Sequence, residues 1–421
     1  MISVALDRGR GSIADTELAA AIERSVSDCR GIKRLLLIVP DFTRYHSNSG
    51  QIANLYYHLF KDRCRVDLLV AVGTHVAMTR EECAAMYGDI PYERFVTHNW
   101  RSGNRKLGQV PGDFVAEVSE GLMTMPIDVE VDELLWAGYD LILSIGQVVP
   151  HEVVGMANHS KNIFVGCGGS SMINASHMLG AFYGMERIMG RDHSPVRKVF
   201  DYAAKHYLGG LPLTYVLTVT TAPYGKIRTH GLYISQERHY FEAAVAQAQQ
   251  TNLTFVDKPL KKVVVYLDDN EFKSTWLGNK SIYRTRMAIA DGGELIVLAP
   301  GVDKFGEDAA IDSLIRKYGY AGREAIIQYS KNGDLQNNLS AAAHLIHGSS
   351  DGRFSITYCT CYLTRAEVES VNFQYRPYEE ATVLYDPGNL YPGFNTVNGE
   401  EIYFIPNPAM GLWVDKAKFT V

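Results

Sequence analysis

Continuous apolar runs alternate with helix-forming stretches through the first half of the chain. Three runs, at residues 34–40, 65–73 and 139–146, are short and rich in Leu, Ile and Val. Such runs are typical of parallel strands that are covered on both faces. Residues 49–62 and 79–88 lie between the runs, and each has a Ser or Thr near its start, which favours a helix. The pattern therefore predicts an α/β fold with a mostly parallel sheet.

A second α/β pattern begins at Lys261. The apolar run that starts there predicts a strand, residues 280–293 predict a helix, and residues 294–301 predict the next strand. Just before, in residues 250–262, helical Ala and Gln give way to a connection that contains a proline, which indicates a domain boundary. We expect two α/β domains with an active-site cleft between them: an N-terminal domain that binds a cofactor (1–256), a C-terminal domain (257–390) and a final segment that returns to the N-terminal domain (391–421).

The size and composition of the chain agree with two globular domains. Its 421 residues exceed the length at which a single core usually stops growing, and 46% are hydrophobic and 21% charged. The net charge of −6 argues against nucleic acid or an anionic membrane as a partner. No stretch has the character of a signal peptide or a membrane span, so we expect a cytoplasmic location. The six cysteines form no C-x-x-C pair, which favours reduced thiols over disulfides or a Cys-based zinc site.

Polar side chains with chemical potential follow each of the three apolar runs. Asp41 and Arg44 come after the first, His75 after the second and His151 after the third. In an open α/β sheet, ligands bind outside the carboxyl ends of the strands. A solvated turn explains any one of these residues, but the three strand ends together favour a functional site.

Two histidines on different strand ends can face opposite sides of one substrate. That arrangement suits the inversion of a stereocentre, because protons can be moved on either face. Removing a carbon-bound proton beside a carboxylate is difficult without an electron sink, so a cofactor is implied. The Gly-rich run at 166–171, with Gly168 and Gly169, offers backbone N–H groups that could bind a phosphate. His177 follows on an apolar, helix-like stretch, where a packing role is the alternative.

Several separated motifs resemble the nickel-dependent lactate racemase family of 2-hydroxy-acid racemases and epimerases. They are "DFTR", "VGTHVAMTREE", "PHEVVGMANHSK", "INASH" and "LGNKSIYRTRMAIADGGELIVLAPG", in this order between residues 34 and 301. The resemblance implies a nickel-pincer nucleotide, which is a pyridinium mononucleotide that holds nickel through one carbon and two sulfurs. Matched by position, the residues that it assigns to the cofactor are Lys161 as a covalent tether, His177 as a nickel ligand, and Asp41 and Thr43 as further contacts. Cofactor-synthesis proteins are implied as transient partners.

The same resemblance assigns the substrate residues. His75 and His151 would be the two acid/base groups, and Arg44 and Lys280 would bind the substrate carboxylate. One histidine would take the hydroxyl proton while the C2 hydrogen leaves as hydride to the cofactor. Return of the hydride to the other face of the keto acid would invert C2.

Two departures from the family pattern bear on the substrate. The tether follows "NHS" instead of Gly-Gly-Arg, and Leu277 stands where the family has a glutamine. We expect polar residues around the site, and they favour a sugar acid such as gluconate or mannonate over lactate or malate: Tyr45, His46, Asn48, His98, Asn99 and Trp100. Two other interpretations remain open at this point. One is a zinc hydrolase built on His75, His151 and His177, and the other is a nucleotide-binding module without catalysis.

Overall fold

The structure is a computed structural model that describes residues 1–409 and 411–419. It divides into two compact units. The first contains residues 1–179 and 187–252, and the second contains residues 180–186 and 253–421. The main division therefore lies four residues before the predicted one. None of the helices in the described ranges is both long and apolar enough to cross a membrane.

The first unit is built around a seven-stranded sheet with the strand order β1-β11-β10-β7-β2-β3-β4. The strands of the whole unit, including four outside this sheet, are β1 (Val4–Asp7), β2 (Arg34–Val39), β3 (Arg65–Val70), β4 (Phe95–Thr97), β5 (Asn104–Val110), β6 (Ile127–Asp132), β7 (Leu141–Gln147), β8 (Pro150–His151), β9 (Gly155–Met156), β10 (Leu213–Thr221) and β11 (Arg228–Ser235). Its helices are α1 (Asp15–Ser25), α2 (Ser49–Phe60), α3 (Arg80–Tyr87), α4 (Gly112–Val118), most of α5 (Ser170–Tyr183), the end of α6 (Met185–Ile188), α7 (Pro195–Tyr207) and α8 (Arg238–Asn252). The pairs β5–β6 and β8–β9 form two small antiparallel ribbons.

The three predicted strands lie side by side in this sheet. β2 pairs in parallel with β3 on one side and with β7 on the other. Their residues are almost all buried, as the continuous apolar runs predicted. From β2 the chain first builds outward through β3 and β4, and later returns on the other flank with β7. A crevice at the carboxyl ends is expected at such a reversal of strand order.

The two predicted helices of the first unit are confirmed. α2 spans Ser49–Phe60, and α3 begins after Thr79, whose hydroxyl accepts from the N–H of Glu82 in a reciprocal capping box. α3 ends at Gly88, where φ is +69° and a side chain would be strained. Strong local end signals explain why this helix could be located from the sequence.

The second unit is built around a six-stranded sheet with the order β16-β15-β14-β13-β18-β17, parallel except for β17. Its strands are β12 (Leu253–Val256), β13 (Leu260–Tyr266), β14 (Ile289–Ala299), β15 (Phe354–Thr360), β16 (Gln374–Tyr375), β17 (Gly393–Val397), β18 (Glu400–Ile405) and β19 (Leu412–Asp415). Its helices are α9 (Thr275–Gly278), α10 (Lys280–Tyr283), α11 (Ala309–Tyr318), α12 (Arg323–Tyr329), α13 (Leu339–His347), α14 (Arg365–Ser370) and α15 (Tyr378–Leu384). The α/β class with mostly parallel sheets is thus confirmed.

Two predictions for this part of the chain are wrong. The helix expected over residues 280–293 ends at Tyr283. The chain turns through residues 284–288, where the buried Arg286 forms ion pairs with Glu186 and Asp351, and then enters β14. The segment 391–421 does not return to the first unit. Its strand β18 pairs with β13, and β19 pairs with β12, so it completes the second unit.

Candidate active site

The first strand end carries a hydrogen-bonded group of three predicted residues. Asp41 is buried just beyond β2 and caps a 3₁₀ turn by accepting from the backbone N–H of Thr43 at 2.9 Å. It also accepts from the Thr43 hydroxyl at 2.5 Å. Nη1 of Arg44 donates to the same hydroxyl oxygen at 2.8 Å. The Thr43 hydroxyl therefore links the acid to the cation, and the turn orients both.

The second strand end places His75 against Asp41. Nδ1 of His75 lies 2.9 Å from Oδ2 of Asp41. Burial alone would raise the pKa of the Asp41 carboxyl, but His75, Arg44 and Thr43 hold that pKa well below its usual range. Asp41 is therefore a carboxylate, and Nδ1 of His75 donates to it. This leaves Nε2 of His75 as the atom that can exchange a proton with a substrate.

The third strand end places His151 in the small β8–β9 ribbon. Its Nδ1 accepts from the backbone N–H of Val153 at 3.2 Å. Oε2 of Glu152 lies 3.9 Å from the same nitrogen. The sequence analysis did not single out Glu152, because an acid beside a histidine in a loop is ordinarily solvated.

A buried arginine holds the segment that leads to the predicted tether. Asn158 and His159 both have φ in the left-handed region, at +68° and +56°, which costs roughly 1–3 kcal/mol per residue. The guanidinium of Arg197, on α7, is fully buried and donates to the carbonyls of Met156 and Asn158 and to the Ser160 hydroxyl. These bonds compensate for the backbone strain and fix the residues before Lys161. Arg197 was not predicted.

His159 takes no part in the chemistry of the site. It is buried between the rings of Tyr215 and Phe241, with centroid distances of 4.0 and 4.9 Å. Burial, and then the charges of Arg197 and Arg238, hold the pKa of its imidazole well below the ordinary value. His159 is therefore a neutral packing residue.

Lys161 has the properties of a reactive amine. It is half-buried, and its ammonium makes no hydrogen bond or ion pair with any residue that the structure describes. Burial lowers the pKa of Lys161 to about 8, with a further contribution from the positive charge of Arg44 and opposition from Glu152 and Asp41. Much more of the neutral, nucleophilic form is present near neutral pH than for an ordinary lysine.

His177 presents one ring nitrogen as a possible metal ligand. It lies on α5, and its Nδ1 donates to the carbonyl of Ile173, one turn earlier, at 2.6 Å. Burial lowers the pKa of His177, as does the charge of Lys161 nearby, so the ring is neutral. Nε2 then carries the lone pair, and a carbonyl that fixes the other nitrogen is the usual support for a metal-binding histidine.

Gly168 and Gly169 do not form the predicted phosphate cradle. The N–H of Gly168 lies 3.4 Å from the Val165 carbonyl, and that of Gly169 donates to the Glu130 carbonyl at 2.9 Å. A Cβ on Gly169 would lie 2.5 Å from the Glu130 carboxylate, so the glycine is needed for packing. These N–H groups are therefore not available to a phosphate.

His98 is also removed from the set of substrate-facing residues. Its ring is buried, Nδ1 lies 2.8 Å from Asp132, and Nε2 donates to the Gly168 carbonyl at 2.9 Å. Both nitrogens are thus used to hold the Gly-rich turn. The remaining polar residues include Tyr45, which is exposed, and Asn48, whose amide donates to Thr229.

Lys280 and Leu277 lie in the second unit. Lys280 begins α10, with its Nζ 5.6 Å from the centre of the Phe272 ring, and Leu277 lies half-buried on α9. The role of Lys280 in substrate binding stays a prediction.

The donor groups present fit the implied cofactor better than a zinc site. An amine without a partner can form a covalent bond, and the Nε2 of His177 can hold a soft-to-borderline metal such as nickel. In the part of the chain that the structure describes, only Asp192, His193 and Glu242 bring three potential ligand atoms within 4.8 Å of one another. The histidines His75, His151 and His177 do not converge in this way. The zinc interpretation therefore lacks a preformed site.

Comparison with known proteins agrees with the resemblance found in the sequence motifs. A family model described as the lactate racemase N-terminal domain matches residues 18–188. A lactate racemase from Thermoanaerobacterium thermosaccharolyticum is 24% identical over 287 residues, which cover 66% of this chain and 62% of that relative. The match thus spans less than two thirds of the relative's length.

Two solved structures share the fold. A protein from Thermotoga maritima superimposes with a TM-score of 0.83 at 22% identity, covering 98% of this chain and 100% of that one. The lactate racemase apoprotein from Thermoanaerobacterium thermosaccharolyticum superimposes with a TM-score of 0.71 at 18% identity, covering 96% of this chain and 95% of that one. These structures confirm the fold, and the match to the family model together with the curated relative confirms the resemblance found in the sequence motifs.

Proposed function

We propose that the protein is an isomerase that inverts C2 of a 2-hydroxy acid, because residues 18–188 match the model of the lactate racemase N-terminal domain family. The pair of His75 and Asp41 at the carboxyl edge of the sheet carries the proposal. A histidine whose Nδ1–H is fixed by a carboxylate is a general base at Nε2. Arg44, a cation that can bind the carboxylate of a hydroxy acid, acts electrostatically on the same Asp41.

His75 and His151 act on the substrate hydroxyl from opposite sides. The epimer whose hydroxyl faces His75 gives its proton to Nε2 of that ring, and the other epimer gives its proton to His151. Arg44 binds the substrate carboxylate through charge-assisted hydrogen bonds, since its guanidinium is held in place by Thr43. Lys280 supplies the second cation that the resemblance implies.

The residues of the first unit fit a bound nickel-pincer nucleotide. Lys161 would hold it covalently, and His177 would ligate its nickel through Nε2. When bound, this cofactor supplies a reversible hydride acceptor for C2, so no carbanion has to form. Asp41 and Thr43 remain proposed contacts of the cofactor, although the structure engages both with each other and with His75.

A sugar acid such as gluconate or mannonate is the proposed substrate, with lactate and malate as the alternatives. Tyr45 and Asn48 follow Arg44 in the chain and line a cavity of about 370 Å³. Gln51, Asn54 and Asp89 line the same cavity. Amide and carboxylate groups of this kind hydrogen-bond hydroxyls, which lactate lacks beyond C2.

A substrate panel tests the function. Protein loaded with the cofactor is incubated in D₂O with gluconate, mannonate, lactate and malate, and the products are separated by chiral chromatography. We expect gluconate and mannonate to interconvert without deuterium entering C2. Deuterium at C2 would contradict hydride transfer. If protein with stoichiometric nickel epimerises no 2-hydroxy acid, the proposed function is wrong.

The contribution of the cavity has its own control. Gln51→Leu should raise KM for gluconate several-fold and leave the KM for lactate unchanged, because only the longer substrate reaches the amide. Equal effects on both substrates would place the distal hydroxyls elsewhere.

A further inference from the structure

The two histidines assigned to acid/base chemistry are held by hydrogen bonds of opposite sense. Nδ1 of His75 faces the Asp41 carboxylate, which can only accept, so this nitrogen carries a hydrogen. Nδ1 of His151 faces the N–H of Val153, which can only donate, so this nitrogen carries a lone pair. A neutral imidazole has one N–H, and the partner of one nitrogen fixes the state of the other.

From this contrast we infer that His75 and His151 occupy opposite tautomers in the free protein, and that Glu152 is the positioning residue that receives His151 when its ring becomes protonated. The inference rests on the proposed function for the roles of the two rings. In the resting state, Nε2 of His75 offers a lone pair, whereas Nε2 of His151 carries the hydrogen. Only His75 is ready to accept a proton.

His151 can accept a proton only after a change of partner. Its imidazolium has a hydrogen on both nitrogens, and an Nδ1–H would then point at the N–H of Val153. The Glu152 carboxylate, with Oε2 3.9 Å from Nδ1, is the acceptor within reach of a small ring movement. Val153 therefore holds the neutral ring of the free protein, and Glu152 accepts the Nδ1–H of the protonated ring, whereas Asp41 accepts from Nδ1 of His75 in both of its charge states.

The proton balance of the reaction explains why such a device is useful. In each direction one histidine gains the hydroxyl proton and the other gives one up, so each ring must be stable both as imidazole and as imidazolium. His75 needs no rearrangement between these states. His151 first gains a proton from solvent at Nδ1 and turns from Val153 to Glu152. It then gives up and regains only the proton on Nε2, while Glu152 keeps the Nδ1–H in both charge states.

Histidine-selective ¹⁵N labelling of the full-length apoprotein tests the tautomers directly. Signals are assigned with His75→Gln and His151→Gln. At a pH where both rings are neutral, we expect the hydrogen on Nδ1 in His75 and on Nε2 in His151. A hydrogen on Nδ1 of His151 would overturn the inference. Because no turnover is involved, this result is independent of the substrate panel.

The role of Glu152 is tested by the pH titration of the same signals. Glu152→Gln removes the negative charge that stabilises the cation and should lower the titration midpoint of His151 by roughly 1 pH unit, while that of His75 stays unchanged. Lys161 and His177, the other ionisable groups in electrostatic reach of Glu152, are retained in this variant. Glu152→Asp should restore part of the shift. An unchanged midpoint in Glu152→Gln would overturn the assignment.

Discussion

The two parallel sheets of this protein end in different chemistry. Beyond the strands β2, β3 and β7 of the first unit lie Asp41, Arg44, His75 and His151, and the first three are connected by hydrogen bonds and charge. Beyond β13 of the second unit lie Asp268 and Asp269, whose carboxylates accept from the backbone and side chain of Asn270. At the end of β15, the hydroxyl of Thr360 donates to the Val302 carbonyl.

This difference shows that architecture alone does not identify the site. Both edges meet the rule that ligands bind at the carboxyl ends of parallel strands. At the second edge, these polar groups form hydrogen bonds with other groups of the same unit. At the first edge, Nε2 of His75 and the amine of Lys161 form no hydrogen bond with the residues that the structure describes. Both atoms are therefore available to a ligand.

The largest expected effect concerns two lysines, Lys161 in the first unit and Lys280 in the second. Lys161→Ala should abolish the covalent adduct, because the unpartnered amine is the proposed bonding atom, whereas Lys280→Ala should leave it intact. Intact mass spectrometry of protein exposed to the cofactor-synthesis system measures this. Lys198→Ala, an exposed lysine of the first unit, is the control. An adduct that persists in Lys161→Ala would move the tether to another residue.

The next effect concerns the two histidines. His75→Ala and His151→Ala should each slow net epimerisation by at least ~10²–10⁴-fold, the usual contribution of one general acid/base group. In a single turnover, however, each variant should still form enzyme-bound keto acid from one epimer, and the epimer should differ between them. Rapid quench and mass spectrometry detect the keto acid.

The exposed His239→Ala controls for the loss of a histidine as such. If both active-site variants lose the keto acid from the same epimer, the two rings do not act on opposite faces.

The sequence was sufficient for the parts of the site that follow directly from strand ends. β2, β3 and β7 are continuous apolar runs, so Asp41, His75 and His151 could be placed at one edge before any coordinates. Parallel pairing then brings Asp41 and His75 into contact, because β2 lies beside β3. That His151 acts at the same site stays a prediction.

The supporting residues could not be predicted because their roles depend on distant backbone atoms. In the sequence, Arg197 and Lys198 are adjacent cations on a helix, yet Arg197 is buried and Lys198 is exposed. The difference arises from carbonyls at Met156 and Asn158, which lie about forty positions earlier. The phosphate-binding role predicted for Gly169 fails for a similar reason. The Glu130 side chain fills the space beside this glycine, and the Glu130 carbonyl accepts from its N–H.

Arg197 provides a stability test of the first edge. Arg197→Met should lower the free energy of unfolding by about 3–5 kcal/mol, because buried carbonyls lose their donor and the strained segment before Lys161 loses its support. Denaturant unfolding measures this loss. Lys198→Met, its exposed neighbour, should change the free energy by less than about 0.5 kcal/mol. Equal stability of the two variants would mean that Arg197 does not hold the segment.

Lys280 tests whether the second unit contributes to substrate binding. Lys280→Ala should raise KM by roughly 10- to 100-fold, as expected for a lost charge-assisted hydrogen bond, while nickel content stays normal. Lys273→Ala, an exposed lysine close by in the sequence, should leave KM unchanged. Loss of nickel in Lys280→Ala, or kinetics like those of the parent protein, would contradict the assignment.

The smallest effect concerns the reactivity of Lys161 in the apoprotein. Because the pKa of Lys161 is lowered to about 8, its neutral amine should appear as the pH rises through this value, about two units below an ordinary lysine. The charges of Arg44 and Glu152 act on that pKa in opposite directions. Arg44→Gln removes a positive neighbour, so the midpoint should move up by roughly half to one pH unit, and acylation at pH 7.5 should fall about 3- to 10-fold. Glu152→Gln removes a negative neighbour, so the midpoint should move down and acylation at pH 7.5 should increase.

Limited acylation followed by peptide mapping gives the extent of modification at Lys161 as a function of pH. Arg101→Gln, which removes an exposed cation of the same unit, should leave the profile of Lys161 in place. Opposite shifts in the two active-site variants cannot arise from a general loosening of the fold, because loosening would expose the amine and move both midpoints up. Shifts of the same sign would therefore show that burial alone, rather than the charges at the first strand edge, sets the reactivity of this lysine.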